Sequence, residues 1–69
     1  MGYAVEVSAY YDWRCTYFVQ TPYEEEAKRK AYAMAKGTFS CYMPETLEEA
    51  EQDKGVYVEV LAKIERIIL

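Results

Sequence analysis

The sequence contains no histidine and only two cysteines, two prolines and three glycines. Without histidine no Ser-His or Cys-His couple can form, and neither thiol has the usual neighbouring base that holds a thiolate at neutral pH. Cys15 and Cys41 form no CxxC pair, and two distant thiols are too few for a disulfide scaffold or a closed zinc site. We therefore expect two buried thiols, no metal or other cofactor, and no enzymatic activity.

Positive charge is also scarce, because eight Lys and Arg stand against twelve Asp and Glu, which gives a net charge of −4 and a pI near 4.7. Attraction to phosphate backbones or anionic lipid depends on clustered cations. No apolar run approaches the roughly 18 residues of a membrane span, and the first residues lack the basic and apolar parts of a signal peptide. We expect a cytoplasmic chain that binds neither nucleic acid nor membrane directly.

Apolar residues, in contrast, make up 52% of the 69 residues. This fraction is too high for a disordered chain, although a chain this short buries only about 60% of the surface that its unfolded form exposes. We expect a single small domain over residues 1–69, with a thin core.

Two runs near the start of the chain, residues 3–11 and 15–20, alternate in the manner of half-buried strands. Only a few residues separate them, and Asp12 suits a turn. The two runs therefore predict an antiparallel hairpin.

A capping box marks the next boundary: Thr21 is the cap, Pro22 takes the first helical position and Glu24 lies three residues after the cap. The helix is predicted over residues 22 to about 36, with Gly37 as its left-handed stop. Its narrow apolar stripe consists of Tyr23, Ala27, Ala31, Met34 and Ala35.

The second half of the chain predicts a third strand over residues 38–43, a short helix over residues 47–53 and a last strand over residues 56–65. The short helix begins with a second capping box, formed by Thr46 and Glu49. The last segment also fits a helical stripe, and we prefer a strand because β-branched residues dominate it. The side chains on one face of this strand are Val56, Val58, Val60, Ala62 and Ile64.

The order of elements is thus β-β-α-β-(short α)-β. Such an order most simply packs one long helix across one face of a four-stranded, mainly antiparallel sheet. We therefore predict an α+β fold.

The sheet face that the long helix leaves uncovered is the first candidate site, because the chain has eight tyrosines. Protein interfaces are enriched in Tyr, Trp, Phe and Arg, whose rigid side chains act as anchors. Tyrosine is also favoured on partly solvent-exposed sheet surfaces that bind no partner. Both interpretations, an interface and an ordinary exposed sheet face, stay open. The face is predicted to carry Tyr10, Arg14, Thr16, Phe18, Tyr42, Tyr57, Glu59, Leu61 and Lys63, with Trp13 on the hairpin turn.

The second candidate site is a run of five acids within nine residues, which we call the acidic segment. Such a run is ordinarily a solvated helix face. It can also imitate the phosphates of a nucleic acid and occupy the basic groove of a nucleic-acid-binding protein. The acidic segment consists of Glu45, Glu48, Glu49, Glu51 and Asp53.

The strand-to-helix run FVQTPYEEEAK, residues 18–28, belongs to a small acidic chain with an aromatic sheet. In this architecture the chain resembles the small phage-encoded inhibitors of host defence, such as anti-CRISPR proteins. The resemblance implies a mode of action, which is occlusion of a nucleic-acid or partner site on a larger complex, and transfers no residue roles. The implied partner is a protein with a basic or aromatic-accepting surface.

Two alternatives remain open. The chain can be a homodimeric structural or accessory subunit that pairs its sheet face or an edge strand with a copy of itself. It can also bind single-stranded nucleic acid by stacking bases on the aromatic face, although such sheets want basic residues around the rings.

We expect the purified protein to show no appreciable affinity for DNA or RNA at physiological salt, because it has no stripe of cations from which counterions would be released. Fluorescence anisotropy with labelled oligonucleotides measures this directly. Micromolar or tighter binding to any of them would contradict the prediction.

Overall fold

The computed structural model describes residues 1–9, 13–39, 43–52 and 55–65. Within these residues two strands are followed by a long helix, a short helix and a third strand. The strands form one antiparallel sheet in the order β2-β1-β3, so β1 is central. The elements are β1 (Gly2–Ala9), β2 (Trp13–Val19), α1 (Glu24–Phe39), α2 (Leu47–Gln52) and β3 (Val56–Ile64).

The fold is α+β, but the prediction of a four-stranded sheet is wrong, since the described residues form three strands. The error begins at Gly37, which does not stop α1: its backbone is not left-handed, and the helix continues through Phe39. The hydroxyl of Thr38 donates a hydrogen bond to the Met34 carbonyl oxygen at 2.9 Å, within this last turn. The start of the predicted third strand is therefore helix, and residues 40–42 lie outside the described residues.

The predicted hairpin is confirmed by the pairing of β1 with β2, in which Val5 lies opposite Tyr17 and Val7 opposite Cys15. Trp13 differs from its predicted place on the turn, because it is the first residue of β2 and packs against the core. Residues 10–12, which include the predicted anchor Tyr10, lie outside the described residues.

The start of α1 differs in detail from the predicted capping box. The helix begins at Glu24, and the hydroxyl of Thr21 donates to a carboxylate oxygen of Glu26 at 2.9 Å while accepting from the Tyr23 N–H at 3.3 Å. Hydrogen bonds from Lys30 and then from Thr21 hold the pKa of the Glu26 carboxyl below its usual value. Thr21 therefore organises the first turn through Glu26 and not through Glu24.

The second capping box is confirmed. Thr46 accepts a hydrogen bond from the Glu49 N–H at 3.2 Å and donates one to the Glu49 carboxylate at 3.1 Å. This reciprocal pair begins α2, whose buried side chains are Leu47 and Ala50.

The core lies between β1 and α1. Alternate residues of β1 are buried on the side of the sheet that faces the helices, and α1 buries three alanines there. Because alanine side chains are short, the helix backbone approaches the sheet closely. The predicted stripe is wrong at Tyr23 and Met34, which are 68% and 41% exposed, while Tyr32 is buried at 3%. The buried residues of β1 and α1 are Tyr3, Val5, Val7, Ala9, Ala27, Ala31, Tyr32 and Ala35.

The last segment is a strand, and its helical alternative is thereby excluded. Its predicted alternation holds only as far as Val60, because the register shifts there: Val5 lies opposite Val60, and Ala4 lies opposite Ala62. Leu61 is the extra residue of this β-bulge, and one extra residue moves every later side chain to the other face.

The predicted faces of the last three residues of β3 are consequently wrong. Ala62 and Ile64 lie opposite Ala4 and Gly2, on the side away from the helices, and Lys63 lies opposite Tyr3, on the side of the helices.

Gly2 is required by close packing at the end of β1. A Cβ atom at this position would lie 2.5 Å from the Val19 carbonyl oxygen and 2.8 Å from the ring of Phe18. The ring of Phe18 therefore covers the strand backbone where Gly2 has no side chain. In contrast, a Cβ atom on Gly37 in α1 would meet no atom within 4 Å.

We expect Gly2→Ala and Gly37→Ala to have opposite effects on the free energy of unfolding. The first should lower it by about 1–3 kcal/mol, because the new methyl group overlaps a backbone oxygen. The second should raise it by about 1 kcal/mol, because alanine is the better helix former and the space is open. Urea unfolding followed by circular dichroism measures both, and a stabilising Gly2→Ala would contradict the packing described.

Candidate protein-binding surface

The side of the sheet opposite the helices is uncovered in the described part of the chain, and we call it the open face. The pairing register determines its members, because residues directly opposite each other in an antiparallel pair point to the same side. All three strands contribute to it. The open face consists of Gly2, Ala4, Glu6, Ser8, Arg14, Thr16, Phe18, Tyr57, Glu59, Ala62 and Ile64, with Leu61 at the bulge on its β3 edge.

Two of the predicted aromatic anchors, Phe18 and Tyr57, lie on the open face and are 45% and 63% exposed. Phe18 lies beside Ala4 on β2, and Tyr57 lies beside Ser8 on β3, so the two rings are at diagonally opposite corners. Standard strand spacing and rise place their backbones about 16 Å apart. They are two separate anchors and not one continuous aromatic platform.

The other predicted anchors do not join them. Trp13 lies opposite Ala9 in the register, on the side of the helices, and is only partly buried against the core. Tyr10 and Tyr42 lie outside the described residues. Lys63 leaves the predicted face because of the bulge.

The open face is divided into a polar and an apolar end. At the polar end, Arg14 forms an ion pair with Glu6, with 3.9 Å between Nε and Oε2, and Glu59 lies opposite Glu6 on the other neighbouring strand. One cation and two carboxylates give the face a charge of −1, out of −4 for the whole chain. At the apolar end the pairing places three small residues, Gly2, Ala4 and Ala62, and the larger Ile64 near Phe18.

The acidic segment meets cations of α1. Glu48 forms an ion pair and hydrogen bond with Arg29, Glu45 lies 3.6 Å from the Lys36 ammonium group, and Glu51 lies 3.6 Å from that of Lys28.

The one described acid of the segment that makes no such ion pair here is Glu49, which holds the cap of α2 together with Thr46. Asp53 lies outside the described residues. Each described acid of the segment therefore has a partner within the chain.

Between α1 and α2 lies a groove of about 680 Å³ that the sequence did not reveal. Its walls include both members of the Arg29–Glu48 and Lys36–Glu45 pairs. On its floor the hydroxyl of Tyr32 donates a hydrogen bond to the Pro44 carbonyl, which connects the end of α1 to the segment before α2. In the sequence, Arg29 and Lys36 are two helical turns apart and therefore lie on one side of α1. This spacing could have indicated a row of cations facing the acids of α2.

Cys15 and Tyr17 lie on the side of the sheet that faces the helices, and both are half-buried. Burial, and secondarily the neighbouring Cys15, raises the pKa of the Tyr17 phenol above its usual value. Among the described side chains the Tyr17 hydroxyl is buried without a hydrogen-bond partner. A phenol with a raised pKa stays protonated at neutral pH.

No group of three or more residues that could hold a metal ion occurs in residues 1–9, 13–39, 43–52 and 55–65. Within the same ranges, neither helix has the length and apolar character needed to cross a bilayer. No protein-family model, curated protein or solved structure matches this chain. The open face, whose exposed rings and apolar end have no cover in the described part of the chain, is the candidate site that the geometry defines.

We expect the Arg29–Glu48 pair to stabilise the fold by on the order of 0.5 kcal/mol, because both side chains are about half exposed. A double-mutant cycle with Arg29→Gln and Glu48→Gln isolates this coupling, and about 1 M NaCl should reduce it by screening. A coupling of zero at low salt would mean that Arg29 does not hold Glu48.

Proposed function

We propose that this chain is a non-catalytic protein-binding module and that the open face is its binding surface. The observation that carries the proposal is the exposure of Phe18, Tyr57 and Leu61, at 45%, 63% and 50%, on or beside the sheet face that lies away from the helices. A sheet with one apolar face buried does not need large apolar side chains on its other face. The concentration of three such side chains on or beside one face supports the proposal, because interfaces are enriched in aromatic residues.

The chemistry of the open face resembles that of interfaces in general. Two rings and an arginine provide anchors, and polar residues lie at one end. Burying an anchor such as Tyr57 is expected to contribute on the order of 2 kcal/mol to binding. Under this proposal, the inhibition implied by the resemblance to anti-CRISPR proteins would be occlusion through the open face, not through the acidic segment.

Binding of single-stranded nucleic acid is disfavoured by the same geometry. Stacking platforms combine aromatic rings with a basic groove that follows the backbone. On the open face Arg14 is the one cation among the described residues, and it is paired with Glu6. Phe18 and Tyr57 are also too far apart for consecutive bases, which stack about 3.4 Å apart along a strand.

The proposal is tested by matched tyrosine substitutions. Tyr57 and Tyr23 are similarly exposed, at 63% and 68%, but Tyr57 lies on the open face and Tyr23 lies at the start of α1. Tyr57→Ala should speed dissociation from the partner and weaken binding by about tenfold or more, whereas Tyr23→Ala should leave binding unchanged.

The partner is obtained by affinity capture from the source cells, and its affinity is then measured with purified components by surface plasmon resonance. Circular dichroism confirms that each variant is folded. Equal loss of binding in Tyr57→Ala and Tyr23→Ala, or loss only when Glu48 and Glu51 are neutralised, would place the binding surface elsewhere. Turnover of a substrate by the pure protein would contradict the proposal as a whole.

A further inference from the structure

We propose that a second copy of this chain adds to the outer edge of β2, so that the two β2 strands pair antiparallel about a two-fold axis at Thr16 and the two sheets become one. The inference goes beyond the proposed function, because it concerns an edge of the sheet and not the open face. It is carried by the direction and the regularity of the backbone groups of β2.

The backbone of β2 alternates between groups that bond to β1 and groups that point outward. A Cβ atom on Gly2 would lie 2.5 Å from the Val19 carbonyl oxygen, so this carbonyl is directed at β1. In an antiparallel pair such a residue exchanges both of its hydrogen bonds with the residue opposite, here Tyr3, and the direction reverses at each following residue. The outward N–H and C=O groups of β2 therefore belong to Arg14, Thr16 and Phe18.

These outward groups form a ladder with no second strand in the described part of the chain. β2 is an outer strand of the described sheet, and within the described ranges no backbone hydrogen bond joins it to a helix or a loop. The Thr16 carbonyl oxygen accepts a weak hydrogen bond from the Cys15 thiol at 4.0 Å, in an exposed position. Donors and acceptors that alternate at this spacing are satisfied by another extended backbone.

The two edges of the sheet differ in how well they accept a further strand. β3 has the bulge at Leu61, which interrupts its ladder. β2 pairs with β1 without a register shift from Trp13 to Val19, and it contains no proline and no lysine. Its one charged side chain, Arg14, is paired with Glu6 of its own sheet. Natural sheets protect exposed edges with bulges, prolines and lysines, so the unprotected β2 edge is the one suited to pairing.

A copy of β2 fits this edge in a register that uses every outward group. Rotation about an axis through Thr16, perpendicular to the sheet, places Thr16 opposite Thr16 of the other copy and Arg14 opposite Phe18 of the other copy. Three residue pairs then exchange two hydrogen bonds each. Threonine opposite threonine is a favourable cross-strand pair. The two Arg14 side chains are four residues apart along the paired strands, about 14 Å, so their repulsion is screened.

The helices leave room for this arrangement. Because the axis is perpendicular to the sheet, the helices of both copies lie on one side of the joined sheet and both open faces lie on the other. α1 packs on the central strand β1. The two copies of β1 are three strand spacings apart, about 14 Å, whereas helices in contact are about 8–10 Å apart. The two copies of α1 therefore do not overlap, and the two open faces form one continuous surface.

The experiment is amide hydrogen exchange of the full chain, followed by NMR below the dimer Kd and about tenfold above it. Sedimentation velocity gives this Kd, which we expect to be of order 10–100 µM because the edge is only seven residues long. Above the Kd about four fifths of the chains are paired, so the amides of Arg14, Thr16 and Phe18 should exchange about fivefold more slowly. The amides of Cys15 and Tyr17 should be slow even in the monomer, because they bond to β1.

Substitutions at Thr16 test the position of the axis. Thr16→Pro removes an outward N–H that β1 does not use and should weaken dimerisation by about tenfold or more. Thr16→Lys places like charges opposite each other and should weaken it at low salt, whereas Leu61→Lys, on the other edge, should not. A mixture of Thr16→Lys and Thr16→Glu should restore pairing as a heterodimer. Circular dichroism confirms that each variant is folded.

A parent that stays monomeric, or outward amides of β2 that are already slow in the monomer, would overturn the inference. A dimer indifferent to Thr16→Pro, or a mixture that pairs no better than either charged variant alone, would also overturn it. Tyr57→Ala separates this inference from the proposed function. Because Tyr57 lies on the open face of β3, this substitution should leave dimerisation unchanged, and a dimer that depends on Tyr57 would not be the edge dimer.

Discussion

The structure depends on the packing of β1 against α1. Four alternate residues of β1 are buried, and Ala27, Ala31 and Ala35 of the helix are fully buried against the sheet. Short side chains on the helix allow its backbone to approach the strand closely, so nothing longer fits at these positions without moving the helix. Because strand side chains alternate, burying one set of β1 residues commits the other set to the opposite face. The residues of β1 that are buried in the core thus determine which residues of β1 lie on the open face.

Three ion pairs connect the two helices, one of them through the segment before α2. Lys28, Arg29 and Lys36 of α1 pair with acids of α2 and the segment before it, so that the second helix is oriented against the first. Each of these exposed pairs is weak, but all three favour the same orientation of α2 against α1. The contact between the two helices is consequently lined by ion pairs, whereas the open face, among the described residues, has a single ion pair, between Arg14 and Glu6.

Local patterns in the sequence were sufficient for the hairpin, the cap of α2 and the last strand, because each depends on neighbouring residues in the chain. They failed at Gly37. Glycine inside a helix costs only about 1 kcal/mol relative to alanine, and tertiary packing can outweigh this cost. They failed again at Leu61, because a bulge is a property of two paired strands and leaves no signature in one of them. The ion pairs and the groove depend on how α1 and α2 pack against each other. The run of acids in the sequence does not by itself predict this packing.

The bulge at Leu61 also bears on ordered aggregation. β3 is an outer strand of the described sheet, rich in valine and isoleucine, and without the extra residue its side chains from Val56 to Ile64 would alternate without interruption. Such a regular strand offers its free backbone groups to further chains, which is how fibrils extend. The shifted register interrupts that template halfway along the strand. The open face can therefore stay exposed while the bulge makes the β3 edge a less regular template for further strands.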